Sequence, residues 1–286
     1  MSLEFWIVQT FNGLSYGALL FLLASGLSLI FGVMRVVNLA HGSYFLLGGY
    51  VGLSVIWKTK SFPLALLCGA VAIALVGAGM ERIFLRRLAG QTLGQVLMTV
   101  GFALIFQDLA LLIWGGDPYS LPLPPALSGV LTVGELRFPR YRIFILALAA
   151  VIGAGLWLAL DRTRVGAMIR AAVDDAEMAA GVGIRVPTIS MGVFALGAFL
   201  AALGGVIGGG FLGVYPGLDF EILPYAFVVV IVGGLGSLPG AMVGSVLVGL
   251  LDNFGKALFP ELAYFTLFAP MALILALRPT GLFGRT

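Results

Sequence analysis

This sequence predicts an all-α polytopic membrane protein of eight to nine transmembrane helices with one short helix on the cytoplasmic side. Three observations predict it. First, 60% of the 286 residues are hydrophobic and 10% are charged, with a mean hydropathy of +1.10. Soluble domains carry about 25% charged residues, and so few charges could not cover a soluble surface. Second, apolar runs near the length of about 20 residues that crosses a bilayer recur along the chain. Third, glycine is 41 of 286 residues, about twice the ordinary share near 7%. Lipid tails remove the hydrophobic drive between helices, so small residues are used to let backbones approach.

The spans follow in order. The first is Phe5–Met34, with an interfacial start. Next come His41–Trp57, Phe62–Met80, Leu93–Trp114 and Tyr141–Leu160. Pro187–Phe211, the short Ile222–Gly234, Ala241–Ala257 and Ala263–Leu277 complete nine. With eight, the short pair around Pro239 is re-entrant. No cleavable leader is expected: Met1–Glu4 is not basic, and the apolar run behind it is as long as a span. One domain, 1–286, holds them all.

Lys and Arg set the orientation. With the amino terminus outside, nine spans place Arg35, Arg82, Arg86, Arg87, Arg162, Arg164, Arg170, Arg185, Arg278 and Arg285 inside. Lys58, Lys60, Arg137, Arg140, Arg142 and Lys256 fall outside. The bias is modest and puts the carboxyl terminus in the cytoplasm. It also explains the net charge of +3 without nucleic acid, for which no interleaved basic and aromatic surface is present. The connection Gly115–Arg140 is turn and polyproline material that caps the outer face.

Residues four apart share one helix face. Gly197, Ala201, Gly205, Gly209 and Gly213 recur at that spacing in the sixth span, as do Ala24, Ser28 and Gly32 in the first. Gly236, Gly240 and Gly244 repeat it around the eighth. These are expected to be tight helix seams. The alternative is that some line a path or a subunit contact.

Chemistry is sparse. His41 is the one histidine and Cys68 the one cysteine, which excludes a disulfide framework. No metal-ligand spacing and no GxxxxGK phosphate loop occurs. Ionisable groups inside spans are costly, which singles out Asp108 beside Gln107, and Asp252 beside Asn253. Glu81 and Glu221 sit near span ends, suited to headgroups or loops. Asn38, His41 and Ser43 fall at a break between the first two spans, with Tyr44 and Phe45 next to them. The path candidates are thus Asn38, His41, Ser43, Tyr44, Phe45, Asp108 and Asn253, each with an interhelical hydrogen bond or an interfacial position as the plainer reading.

The longest charge-dense stretch away from the termini, DRTRVGAMIRAAVDDAEMAAGVGI, runs from Asp161 to Ile184. Asp174 and Asp175 suit a helix amino terminus, and Gly181 and Gly183 suit a stop. One short helix is expected over Asp174–Val182, with Ala176, Ala179 and Ala180 making a slim surface able to enter a groove. An ordinary solvated loop helix is the plainer reading.

Four stretches resemble permeases of branched-chain amino acid ABC importers of the LivH type. Arg170-Ala171, Asp174, Ala179-Ala180 and Gly183-Ile184 are similar to the family's coupling loop. Met178 stands where the general form of that loop has Ala. VNLAHGSYFLLGGYVG (Val37–Gly52), GGLGSLPGAMVGSVLVGLLDN (Gly233–Asn253) and RPTGLFG (Arg278–Gly284) resemble the family's other signatures. The resemblance implies a coupling loop over 161–186. Arg170, Asp174, Asp175, Glu177, Ala179, Ala180 and Gly183 would meet an ATPase there. It implies a prokaryotic inner-membrane location, a second LivM-type permease, two cytoplasmic ATPases and an external binding protein. ATP and Mg would sit on the ATPases, with no cofactor on this chain. The same machine for urea, short amides or a sugar is the nearest alternative. A stand-alone channel or ion-driven carrier would need buried paired ionisable residues, and a scaffold subunit would lack a cavity.

Overall fold

A computed structural model describes residues 2–284; Arg285, counted above in the charge bias, lies outside the described residues. Each of the nine apolar runs forms a helix. These are α1 (Leu3–Met34), α2 (His41–Thr59), α3 (Phe62–Ile83), α4 (Thr92–Trp114) and α5 (Arg140–Arg162), followed after an insertion by α8 (Val186–Gly209), α9 (Leu218–Gly233), α10 (Leu238–Leu258) and α11 (Ala263–Leu277). The insertion holds α6 (Arg164–Asp174) and α7 (Ala176–Gly181). Six helices among the described residues are long and apolar enough to cross a membrane: α1, α3 with its extension to Leu88, α4, α5, α8 and α10. The chain is therefore an all-α multi-pass membrane protein. Of the other apolar helices, α2 has 19 residues, α9 has 16 and α11 has 15.

Local chemistry sets the helix ends. Ser2, Ser61 and Ser237 cap α1, α3 and α10 by accepting from Phe5 N, Leu64 N and Gly240 N at 3.3, 3.4 and 3.1 Å; a Ser hydroxyl satisfies an amide that the first turn leaves open. Pro at the start of α3, α8 and α10 costs no hydrogen bond. The carboxyl-terminal RPTGLFG closes α9: Leu282 N and Phe283 N donate to Val232 O and Gly233 O, both at 2.9 Å. These carbonyls lie at a helix end, where no intrahelical donor reaches them.

The core is α1, α2, α3, α8 and α10, with α9 wedged against α1, α2 and α10. Close backbone approach replaces side-chain bulk at their seams. A Cβ on Gly26 would strike the Gly197 carbonyl, one on Gly205 the Phe45 carbonyl, and one on Gly249 the backbone of Gly17. The last member of the sixth-span stripe is not helical: α8 stops at Gly209, and Gly213 follows the turn after it at φ 83°. Gly236 likewise precedes α10, at φ 78°, where it abuts Gly32. Only Gly240 and Gly244 of that stripe face α9.

Two further corrections concern connections. Within Gly115–Arg140 the chain forms a hairpin of β1 (Val130–Val133) and β2 (Leu136–Pro139), paired antiparallel with Val133 opposite Leu136. Gly134 at φ 63° permits the two-residue turn; neither this turn nor the short strands were anticipated from the sequence. The rest of this connection folds over the bundle, with Leu121 N donating to Gly209 O at 3.0 Å and Tyr119 bridging Val214. In the second case, the helix expected over Asp174–Val182 is the shorter α7, preceded by a separate helix, α6, that was not expected from the sequence. Asp174 ends α6, and Asp175 turns to φ −152° and accepts from Met178 N at 2.9 Å. One of two adjacent acids thus closes a helix while the other caps the next. Thr163 caps α6 through Gly166 N at 3.0 Å.

Candidate functional site

The backbone leaves α1 with Arg35 in the left-handed region, φ 52°, and runs without helix to Ala40. Val36, Asn38 and Ala40 are nonetheless buried. Leu39 N donates to Thr99 Oγ1 at 3.1 Å and Ala40 N to Asn38 Oδ1 at 3.1 Å. His41 Nε2 donates to the carbonyl of Leu23 at 2.9 Å. Leu23 is eleven residues before the end of α1, about 16 Å along a helix rising 1.5 Å per residue. The segment therefore folds back into the bundle, and α2 begins at depth. Irregular backbone at membrane depth is tolerated where protein buries it.

A second helix begins at the same place. After α8 the chain turns back through Gly210–Gly217, and α9 opens with Leu218 and Asp219, both buried. Ser43 Oγ donates to Asp219 Oδ2 at 2.9 Å. Gly42 lies so close to the Asp219 carbonyl that a Cβ would overlap it. Two helix amino termini thus meet, and the carboxylate between them complements both dipoles. Around them Tyr44 Oη donates to Met80 Sδ at 2.9 Å, and Phe45 packs on Gly205 and Gly208. Asn38 Nδ2, His41 Nδ1, Asp219 Oδ1 and Tyr50 Oη are buried without a protein partner. Such atoms are exceptions in folded proteins, and they give this crossing a polar character that a mere seam would not need.

The structure gathers Asn38, His41, Ser43, Tyr44 and Phe45 at this crossing and leaves two path candidates elsewhere. Asn253 Nδ2 donates to Gln9 Oε1 and Gln9 O at 2.6 and 2.8 Å, tying α10 to the first third of α1. Asp252, buried, pairs with Lys256 at 2.8 Å. Asp108 is exposed on the outward side of α4. Sequence reasoning missed Asp219, because the seventh span was begun at Ile222, four residues after the helix start at Leu218. Gly217 with an acid two residues on was the available signal for an earlier helix start. Glu81 also differs from expectation. It is buried and bonded to Arg86 at 2.9 Å, and Arg86 also donates to Pro187 O at 2.8 Å. The pair locks α3 to the start of α8.

The α6–α7 segment stands at the opposite end of the bundle from the hairpin. Ala179 is 3% exposed and faces the protein, against the expectation of a slim outward surface that includes it. Its carbonyl accepts from Ile184 N at 3.0 Å. What α7 and its cap present outward is Asp175, Ala176, Glu177, Met178 and Ala180, followed by Gly181, Val182 and Gly183. Met178 and Val182, at 67% and 72% exposed, form an apolar step among acids. Arg170 bonds back to the Leu160 carbonyl at the end of α5. Between α6 and the bundle lies a cleft of about 890 Å³ bordered by Leu29, Arg35, Trp157, Arg170, Asp174 and Ser237.

Comparison with known proteins gives this geometry a context. The family described as "Branched-chain amino acid transport system / permease component" matches residues 9–277. The high-affinity branched-chain amino acid transport system permease protein BraD of Pseudomonas aeruginosa is 31% identical, across 98% of this chain and 96% of its own length. The corresponding LivH of Escherichia coli K12 is 29% identical over the same shares. The xylose/arabinose import permease protein XylH of Sulfolobus acidocaldarius is 34% identical over 55% of this chain and 44% of its own length. No solved structure matches.

Proposed function

The chain belongs to the permease-component family of branched-chain amino acid transport systems, and from that premise we propose that it carries branched-chain or other hydrophobic amino acids inward by alternating access. The observation that carries this reading is the full-length similarity to BraD and LivH. It extends through the crossing at Asn38–Phe45 and through the exposed α6–α7 segment. In this reading nine helices span the inner membrane, with the amino terminus outside and the α6–α7 segment and carboxyl terminus in the cytoplasm. Besides the six long helices and the shorter α11, α2 and α9 reach full depth because buried irregular segments lead into them, as in transporters with interrupted helices.

The energy comes from elsewhere. Two cytoplasmic ATPases, holding ATP and Mg, dock on α7 through Glu177, Met178 and Val182, with Asp175 fixing the helix start. A LivM-type second permease completes the membrane part, and an external binding protein delivers substrate. Nucleotide binding shifts the balance between outward- and inward-open states through differential contact with α7. The rigid join of α6 to α5, through Arg170 and the Leu160 carbonyl, passes the displacement into the bundle.

The test is reconstitution of the assembled complex in proteoliposomes. ATP-dependent uptake of leucine that requires the binding protein is expected. Uptake of xylose in place of leucine would favour the sugar reading that the XylH similarity keeps open. Uptake by this chain alone would replace the whole proposal with a stand-alone carrier.

A further inference from the structure

The helix α4 has two faces of opposite character. Gln95, Thr99, Ala103, Phe106 and Ala110 are buried, against α2 and the turn that follows α3. There Thr99 bonds Leu39 N, Gln95 Nε2 donates to Leu85 O at 3.2 Å, and Phe106 lies 6.1 Å from Tyr44. Diametrically opposite, at 3.6 residues per turn, run Gly94, Leu97, Gly101, Leu104, Asp108 and Leu111. Their spacing alternates three and four, the spacing of a helix–helix seam. Among the described residues nothing covers the stripe beyond Gly94, which has Leu88 and Gln91 beside it: Leu97, Leu104 and Leu111 are 61%, 50% and 48% exposed, and a Cβ on Gly101 would meet open space.

A lipid-facing helix has no use for Asp108. The helix has 23 residues, about 35 Å of rise, and Asp108 lies six residues, about 9 Å, inside its end at Trp114. With a hydrocarbon core about 30 Å thick, that position is below the headgroups. An aspartate is too short to reach back to them as a lysine or arginine does. Among the described residues it is the one charged side chain exposed more than a turn inside an apolar span; Asp252 and Glu81 are buried and paired. Intramembrane charges face protein or water, not lipid, and the small residues on the stripe let a neighbouring backbone come close.

We propose that the stripe Gly94–Leu97–Gly101–Leu104–Asp108–Leu111 is the face on which the second permease subunit docks, through an apolar helix that offers Asp108 a cation or a hydrogen-bond donor. The proposal rests on the transport reading above, which supplies the existence of that partner. It adds where the partner sits and which chemistry it presents.

The test uses the assembled importer. Gly101→Leu adds bulk where this chain leaves open space, so a lipid-facing α4 would tolerate it. Docking predicts at least a tenfold loss of co-purified second permease while the ATPases, held by α7, remain bound. Asp108→Lys is expected to give the same loss, and Asp108→Asn, which still accepts a hydrogen bond, a smaller one. A photo-reactive residue at Leu104 should attach to the second permease, whereas one at Leu67, exposed on α3, should not. Second-permease recovery unchanged by Gly101→Leu, or label at Leu104 found on lipid alone, overturns the docking face. Wild-type chain that recovers neither permease nor ATPase would instead sink the transport reading.

Discussion

The helices α8 and α4 are nearly the same length, 24 and 23 residues, and nearly equally apolar, yet 72% of the apolar window is buried in one and 22% in the other. Hydropathy does not separate them. Glycine and charge do. The helix α8 carries Gly197, Gly204, Gly205, Gly208 and Gly209 and no charged residue, and backbones from α1 and α2 close on it directly. On α4, Asp108 and Gly101 stand on a face that none of the described residues covers. An apolar helix in a membrane protein is thus placed by what it lets approach, because lipid already satisfies its oily side chains.

The largest expected effect breaks the comparison at its core. Gly205→Leu would drive a side chain into the Phe45 carbonyl and the backbone of Gly49. Both are backbone in helix, so neither can swing aside. Overpacking of this kind belongs with the exceptional losses above about 4 kcal/mol, and no monodisperse protein is expected on detergent gel filtration. The same exchange at Gly101 should leave the isolated chain's melting temperature within a degree or two. Equal damage from both would mean that α4 is as enclosed as α8.

Next in size is a loss of transport without loss of fold. Met178→Asp places a charge on the exposed apolar step of α7, where this chain makes no demand on the residue. At least a tenfold fall in ATP-driven uptake is expected, with normal insertion and an unchanged melting temperature. Uptake within twofold of wild type would remove α7 from the coupling path. Ala179 would be a poor probe of the same idea, because its side chain faces inward and a large residue there distorts the loop.

These contrasts also explain what the sequence could and could not disclose. The apolar helices and the break near His41 were legible because each depends on local composition: apolar length, or a run of small and polar residues. Gly217 could have placed Asp219 at a helix start, but its role was not legible, since that comes from Ser43, 176 positions away in the chain. The paired helices α6 and α7 were half legible. The acids and glycines marked a helix, but Asp174 and Asp175 look alike until the backbone shows which one ends a helix and which one caps. Burial of Glu81 was hidden for a related reason. Its partner Arg86 is nearby in sequence, but the Pro187 carbonyl that completes the pair is not.

A middling effect sharpens the view of the crossing. Ser43→Ala removes one hydrogen bond from a buried carboxylate that already has an oxygen without a protein partner. Bonds to charged groups contribute about 1.5–3 kcal/mol, so a drop of several degrees in thermal unfolding is expected. Ser43→Thr, which keeps the hydroxyl, should recover most of it. Should Ser43→Ala melt like wild type, the meeting of α2 and α9 is held by backbone contact at Gly42 alone.

The smallest effect belongs to the hairpin. Gly134 holds φ 63° at the tip of a turn whose strand residues Val130–Val133 are all exposed. Alanine there is strained by about 1 kcal/mol in the left-handed region, but β1 and β2 bury little that the rest of the fold needs. The bundle's melting temperature should therefore hold, while faster amide exchange appears in Val130–Pro139. The contacts that cap this end, Leu121 to Gly209 and Tyr119 to Val214, lie before the hairpin and not in it. Cooperative loss of protection in α8 on Gly134→Ala would show that the hairpin is part of the same folding unit as the core, and that the shell is less separable than α4 suggests.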